Sequence, residues 1–221
     1  MVRVDRSLFL WKNMTTKQKI AVLLNLASVG AQIYASAICI MSRGWWAFQY
    51  YTMDSNIFAA VTSIMLIFAL LGKGKTSELV HNFRYYSTCC VTVTFIVVVT
   101  ILVPLDGWHT LPNRLFQGTD LWLHSVGPLL NIFSFLFFEQ EVVLNKKQTY
   151  YALIPTIIYA VIAIILNLVR VLDGPYVFLR IYNQSVLMTF VWLIVIGLMV
   201  FGIAFLLRFL NIKLISKSKN Q

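Results

Sequence analysis

The sequence predicts an all-α integral membrane protein, a bundle of six transmembrane helices with both termini in the cytoplasm. Three observations predict it. Apolar residues make up 59% of the 221 positions and charged ones only 12%, against roughly 45–50% and about 25% in ordinary soluble domains. Six apolar runs occur, at about 18–41, 53–72, 86–105, 120–138, 149–172 and 185–210. Each reaches the roughly 20 residues that a helix rising about 1.5 Å per residue needs to cross the hydrocarbon core. Of the 18 Lys and Arg residues, only Arg43, Arg114, Arg170 and Arg180 fall on one side of the resulting hairpins. The positive-inside rule therefore puts the other side, with both ends, in the cytoplasm. One domain is expected, residues 1–221.

The first run follows Arg3, Arg6, Lys12, Lys17 and Lys19. Ala35-Ser36-Ala37 looks like a signal-peptidase site, but the apolar run is long and continues past it, so the span is expected to stay. The second run opens on Phe48-Gln49-Tyr50-Tyr51-Thr52-Met53-Asp54-Ser55-Asn56. Thr52, Ser55 and Asn56 lie three and four apart and share a helix face. Lys73, Lys75 and Arg84 mark the second loop, before a third run rich in Thr that also holds Cys89 and Cys90. With Cys39 the cysteines are odd in number and all lie in spans, which suits packing better than disulfides.

The fourth run carries Asp120, His124 and Asn131 on roughly one stripe, with Gly127 and Pro128 after the histidine. Pro128 removes the hydrogen bond that the His124 carbonyl would accept, so a kink is expected beside an ionisable ring. In a bilayer such irregular backbone is tolerated where it is buried in protein or lines a wet cavity. The fifth run ends among Asn167, Arg170, Asp173, Arg180, Asn183, Gln184 and Ser185. Arg170 could hold a lipid carboxylate with Asn183 and Gln184 nearby, or simply snorkel to the interface. The sixth run ends in a basic tail, Arg208 to Lys219.

The net charge of +10 flanks spans and forms no stripe with interleaved aromatics. Anionic lipid headgroups are the expected partners, and nucleic acid is not. No CxxC, P-loop, GxGxxG or HExxH occurs, so no cofactor is expected. His109, Asp106, Asp120 and His124 match no metal-ligand spacing, so no metal is expected either.

With six spans, helices two and four run in the same direction, which places Thr52 and His124 at a similar depth near the outer face. Two readings of that pair stand at this point. It is an active site, or the His bonds a neighbouring helix while the Thr bonds back to its own carbonyl.

The segments Tyr51-Thr52-Met53-Asp54-Ser55-Asn56 and Leu123-His124-Ser125-Val126-Gly127-Pro128-Leu129-Leu130 resemble a known family, as does Val103-Pro104 before the third loop. It is the bacterial branch of the six-span family that includes the androgen-induced membrane proteins of vertebrates. That resemblance implies an intramembrane threonine hydrolase in the bacterial cytoplasmic membrane, cleaving fatty acid esters of hydroxy fatty acids drawn from the bilayer. Thr52 falls on the family's nucleophile and His124 on its general base. Trp122-Leu123 stand where the vertebrate members have further His and Asn, a departure that touches lipid specificity. On this reading Asp120 or Asp54 orients the imidazole, and Ser55 and Asn56 stabilise the oxyanion; helix capping is the other reading of these residues.

A transporter or lipid-binding protein without catalysis is the competing expectation. It would place ionisable groups near the midplane. The deep parts of the six runs read as free of Asp, Glu, Lys and Arg, with the polar groups gathered at one end, which favours the hydrolase.

Overall fold

Each of the six runs becomes one helix long and apolar enough to cross a membrane. The computed structural model describes residues 11–219, and the described residues contain helices, turns and loops but no strand. Arg3 and Arg6 of the N-terminal basic cluster lie outside the described residues.

Local signals set the helix ends. Helix α1 (Thr16–Arg43) opens on a capping box, in which Thr15 Oγ1 accepts from the Gln18 amide and Gln18 Oε1 accepts from the Thr15 amide. These bonds satisfy two of the orphan donors at a helix start. Helix α2 (Tyr51–Lys73) begins immediately after a 3₁₀ turn and stops at Gly74, whose φ of 66° gives the left-handed cap that glycine adopts without a Cβ clash. Helix α3 (Glu78–Asp106) starts at Ser77, whose hydroxyl accepts from the Val80 amide.

That start lies eight residues before the 86 expected from hydropathy, and it corrects the reading of Arg84. The residue is not a loop charge. It sits inside α3 with a fully buried side chain, paired to Glu139 at 2.9 Å. The deep charge-free bundle expected from the runs is therefore wrong at the end opposite Thr52. The hydropathy window missed this because His81, Asn82 and Arg84 dilute the apolar signal of the first two turns of α3.

Helices α3 and α4 (Gly118–Phe138) each contain a π-helical turn, Val98–Leu102 and Leu121–Val126. Both turns come just before a proline, Pro104 and Pro128. Proline lacks the amide that would continue the ladder, and widening the preceding turn to i→i+5 bonds absorbs the mismatch. The Gly127 amide accordingly donates to the Trp122 carbonyl. The expected break at Pro128 is thus a π turn that carries His124 itself.

Helix α5 (Lys146–Leu168) ends four residues before the expected 172. Asn167 captures the Leu172 carbonyl and the Ile181 amide with its side chain, and Arg170 takes a φ of 58°. Helix α6 (Val186–Lys219) closes the chain. Helices α1 to α4 pack on one another, and α6 lies against α3. The spans α5 and α6 bury the smallest share of their length. Their outward apolar side chains, among them Ile158, Ile162, Ile194 and Leu198, are exposed, as expected of a lipid-facing surface.

A buried polar seam joins α1 to α4. Arg84 donates to both Glu139 oxygens at 3.0 and 2.9 Å, and to Ser63 and Asn131 at 2.8 Å each. Asn131, which the spacing puts on one stripe with His124 as a supporting residue of the site, belongs here instead, bonding Ser28 and the Gly127 carbonyl. Asn25 and Ser134 complete the shell around Glu139. Burial pushes the Glu139 carboxyl up, but the Arg84 guanidinium and the donors from Arg84, Asn25 and Ser134 outweigh it and hold it below the usual carboxylate range.

Candidate active site

The two polar residues singled out at the mouths of α2 and α4 meet. Thr52 Oγ1 lies 3.3 Å from His124 Nε2. Thr52 is in the first turn of α2, and His124 is in the π turn of α4.

The π turn is anchored from outside. A short helix, Leu111–Phe116, precedes α4, and its last carbonyls have no intrahelical donor. His124 Nδ1 donates to the Arg114 carbonyl at 2.9 Å, and Ser125 Oγ donates to the Leu115 carbonyl at 2.7 Å. A carbonyl can only accept, so this bond assigns the proton to Nδ1. Nε2 is left with its lone pair toward the Thr52 hydroxyl, the tautomer a general base requires.

The imidazole is therefore oriented by a backbone carbonyl, which corrects the assignment of that role to Asp120 or Asp54. Asp120 Oδ2 stands 4.0 Å from Nδ1, too far for a hydrogen bond. Asp54 faces away, into a separate cavity of about 390 Å³ between α2 and α5.

The oxyanion role expected of Ser55 and Asn56 is corrected too. The Ser55 hydroxyl donates to the Thr52 carbonyl at 3.2 Å and pairs with Thr94 Oγ1 at 2.8 Å. The Asn56 amide donates to the carbonyls of Thr52 and Leu123 at 2.8 and 3.0 Å, while its oxygen accepts from Gln32 Nε2 at 3.3 Å. Asn56, fully buried, thus ties the α2 turn bearing Thr52 to the α4 turn bearing His124. It fixes the pair without facing it.

Gly127 lets that happen. A Cβ there would stand 2.8 Å from the Trp122 carbonyl, 3.1 Å from Asn56 Oδ1 and 3.2 Å from Gln32 Cγ. The first contact is to backbone inside the π turn and cannot swing away. We expect Gly127→Ala to shift His124 and lower any Thr52-dependent turnover by about tenfold to a hundredfold, since displacements near 1 Å cost that much. Thr52→Ala and Gly127→Ala compared in one assay of turnover and thermal midpoint would check this.

Two cavities meet at Thr52. One is an apolar slot of about 60 Å³, lined by Val93, Val97, Phe178, Trp192 and Ile196 among others. The other is a polar chamber of about 360 Å³ that also holds His124, Arg43, Arg114, Asp120 and Arg180. Tyr176 borders both cavities. Burial pushes its hydroxyl up to about 12, and the groups that oppose this are the Thr52 side chain and the backbone of Thr52 and Tyr51. Those amides belong to the first turn of α2, where the helix leaves its N–H groups without intrahelical acceptors.

The substrate residues expected from the sequence are not at the site. The Arg170 guanidinium lies 4.6 Å over the Tyr182 ring, Gln184 Nε2 donates to the Phe178 carbonyl, and the Asn183 amide donates to the Arg180 carbonyl. None of the three lines either cavity that contains Thr52. Arg180 and Tyr176 line the chamber instead. Gly174-Pro175-Tyr176, a turn signal carrying an aromatic in the loop on the same end as Thr52, was the available clue. The Arg114 carbonyl, being backbone, left none.

Comparison with known protein families, with curated proteins and with solved structures finds no match for this chain.

Proposed function

We propose that the protein is a membrane-embedded lipid ester hydrolase with Thr52 as nucleophile and His124 as general base, acting on fatty acid esters of hydroxy fatty acids or related acyl esters. The observation that carries this reading is the 3.3 Å approach of Thr52 Oγ1 to His124 Nε2, with Thr52 in the walls of both an apolar slot and a polar chamber. The motif resemblance to the six-span threonine hydrolases adds to it. The basic residues grouped at the other ends of the spans support termini in the cytoplasm and a site near the outer leaflet, and the resemblance to the bacterial branch suggests a bacterial cytoplasmic membrane. That excess survives the removal of Arg84 from the loop count.

In the first half-reaction Thr52 Oγ attacks the ester carbonyl while His124 Nε2 takes the hydroxyl proton. The C–O bond to the alcohol then breaks, and the imidazolium returns the proton to the departing oxygen. Water, deprotonated by the same Nε2, cleaves the acyl-threonine and restores Thr52. The Arg114 carbonyl holds Nδ1–H in place throughout.

The donors suited to the oxyanion are the Tyr176 hydroxyl and the free amides opening α2. Burial, which pushes the Tyr176 hydroxyl up to about 12, favours its protonated, donating form. Tyr176→Phe is expected to lower kcat about tenfold to a hundredfold with KM nearly unchanged, the signature of an interaction made in the transition state. Steady-state kinetics on a fluorogenic medium-chain ester would read both constants. A wild-type protein that hydrolyses no acyl ester sinks the proposal.

One observation favours the competing reading of transport or lipid binding, namely the polar seam through α1 to α4. Its Arg84 nitrogens all donate to partners, however, and its carboxylate is enclosed. A group committed in this way braces helices and leaves no coordination for a passing solute.

A further inference from the structure

We propose that Arg43 and Arg180 form an anion subsite beside Thr52, so that the site takes lipids carrying an anionic oxyacid group, a carboxylate or a phosphate, at the end opposite the apolar chain. That the lipid is also an ester rests on the hydrolase reading; the anion rests on the chamber alone.

Among the described residues four arginines fall at this end of the bundle, Arg43, Arg114, Arg170 and Arg180, and three of them line the cavity that holds Thr52 and His124. Arg114 is neutralised by Asp106, Nη2 to Oδ2 at 2.5 Å. Arg43 and Arg180 make no ion pair with a carboxylate among the described residues. The Arg43 guanidinium rests 5.2 Å over the Tyr50 ring, which positions it without using its N–H donors. Arg180 commits Nε to the Gly174 carbonyl at 3.3 Å and keeps both terminal nitrogens. The chamber's remaining acid, Asp120, lies beside His124.

Arg43 and Arg180 are both exposed on one side, as cations at a membrane edge are. These two line a cavity next to a nucleophile, and each presents a planar fork suited to two parallel bonds with an oxyacid. The apolar slot also has Thr52 in its wall and is lined largely by aliphatic and aromatic side chains. A ligand filling both places its chain in the slot, its charge at the arginines and its middle at Thr52. Bulk lipids with uncharged ends lack the second anchor.

Binding can be read without turnover by using the full chain with Thr52→Ala in a nonionic detergent. Dodecanoate, dodecyl phosphate and uncharged methyl dodecanoate would be titrated against intrinsic tryptophan fluorescence. We expect at least one anion to bind at least tenfold more tightly than the methyl ester. Arg43→Gln and Arg180→Gln should each lower that advantage severalfold, and the double variant should erase it. Arg170→Gln, outside the chamber, should leave it intact. Preference for dodecanoate names a fatty acid carboxylate, and preference for dodecyl phosphate names a phospholipid headgroup; either supports the subsite. Equal binding of charged and uncharged chains would overturn it. So would an advantage that survives the double variant, or one lost equally with Arg170→Gln, which would mark general surface charge. Turnover of an uncharged ester by the unmodified protein, assayed separately, reports on the hydrolase reading and is independent of these outcomes.

Discussion

Thr52→Ala is expected to lower ester turnover by at least about a thousandfold, and His124→Ala by a similar factor, with the double variant little worse than either. The non-additivity follows from the geometry. A threonine hydroxyl is a weak nucleophile unless a base removes its proton, and Thr52 Oγ1 at 3.3 Å is the side-chain partner of Nε2 among the described residues. Stability should barely change in Thr52→Ala, because the lost contact is one partly exposed hydroxyl bond worth about 1 kcal/mol or less. Thr52→Ser, which keeps the hydroxyl, should retain measurable turnover. Rates and thermal midpoints of the four variants in one detergent would check the set; a Thr52→Ala protein with undiminished turnover refutes the assignment.

The second large effect falls on folding. Glu139→Ala leaves Arg84 charged, fully buried and without a counter-ion, which costs about 3–5 kcal/mol. That is a large part of the total for an ordinary domain, so loss of folded protein on extraction is expected. Arg84→Met combined with Glu139→Leu removes both charges and should recover most of the loss, since an apolar pair of similar volume often replaces a buried ion pair at little cost. Single variants and the pair would be compared by unfolding midpoints; a single Glu139→Ala as stable as the parent contradicts the role given to the seam. The same pair predicts a pH effect. The carboxyl of Glu139 lies below its ordinary value in the folded protein. Its contribution is therefore complete above the unfolded value, about 4.3 for glutamate, and is lost as pH falls through the folded value. Acid unfolding should steepen below about pH 4 in the parent and lose that component in the double apolar variant.

Much of the bundle could be read from hydropathy because span length is fixed by the bilayer. All six runs found their helices, and the Thr52–His124 pairing followed from counting spans, since two helices running in the same direction put their starts at one depth. Where the reading failed, the cause was physical in each case. Arg84 reads as a loop charge in the sequence because a buried pair and a loop cation look alike until Glu139, 55 positions on, is brought against it. Asp120 was a reasonable orienting group at i−4 from His124, but the π turn rotated the ring toward the Arg114 carbonyl, and backbone acceptors have no signature in side-chain identity. Ser55 and Asn56 share a face with Thr52 as expected, yet they serve the carbonyls behind it. Arg170 lies outside the chamber because α5 ends early, at a bend in which Asn167 holds the backbone of residues 172 and 181.

The most direct measurement is to locate a covalent adduct. The purified protein would be treated with an alkyl fluorophosphonate, digested, and the modified residue identified by mass spectrometry. A Thr52 nucleophile activated by His124 predicts one phosphonylated residue, Thr52, with labelling abolished in Thr52→Ala and reduced at least about a hundredfold in His124→Ala. Labelling on another residue, or labelling of equal extent in all three proteins, would contradict it.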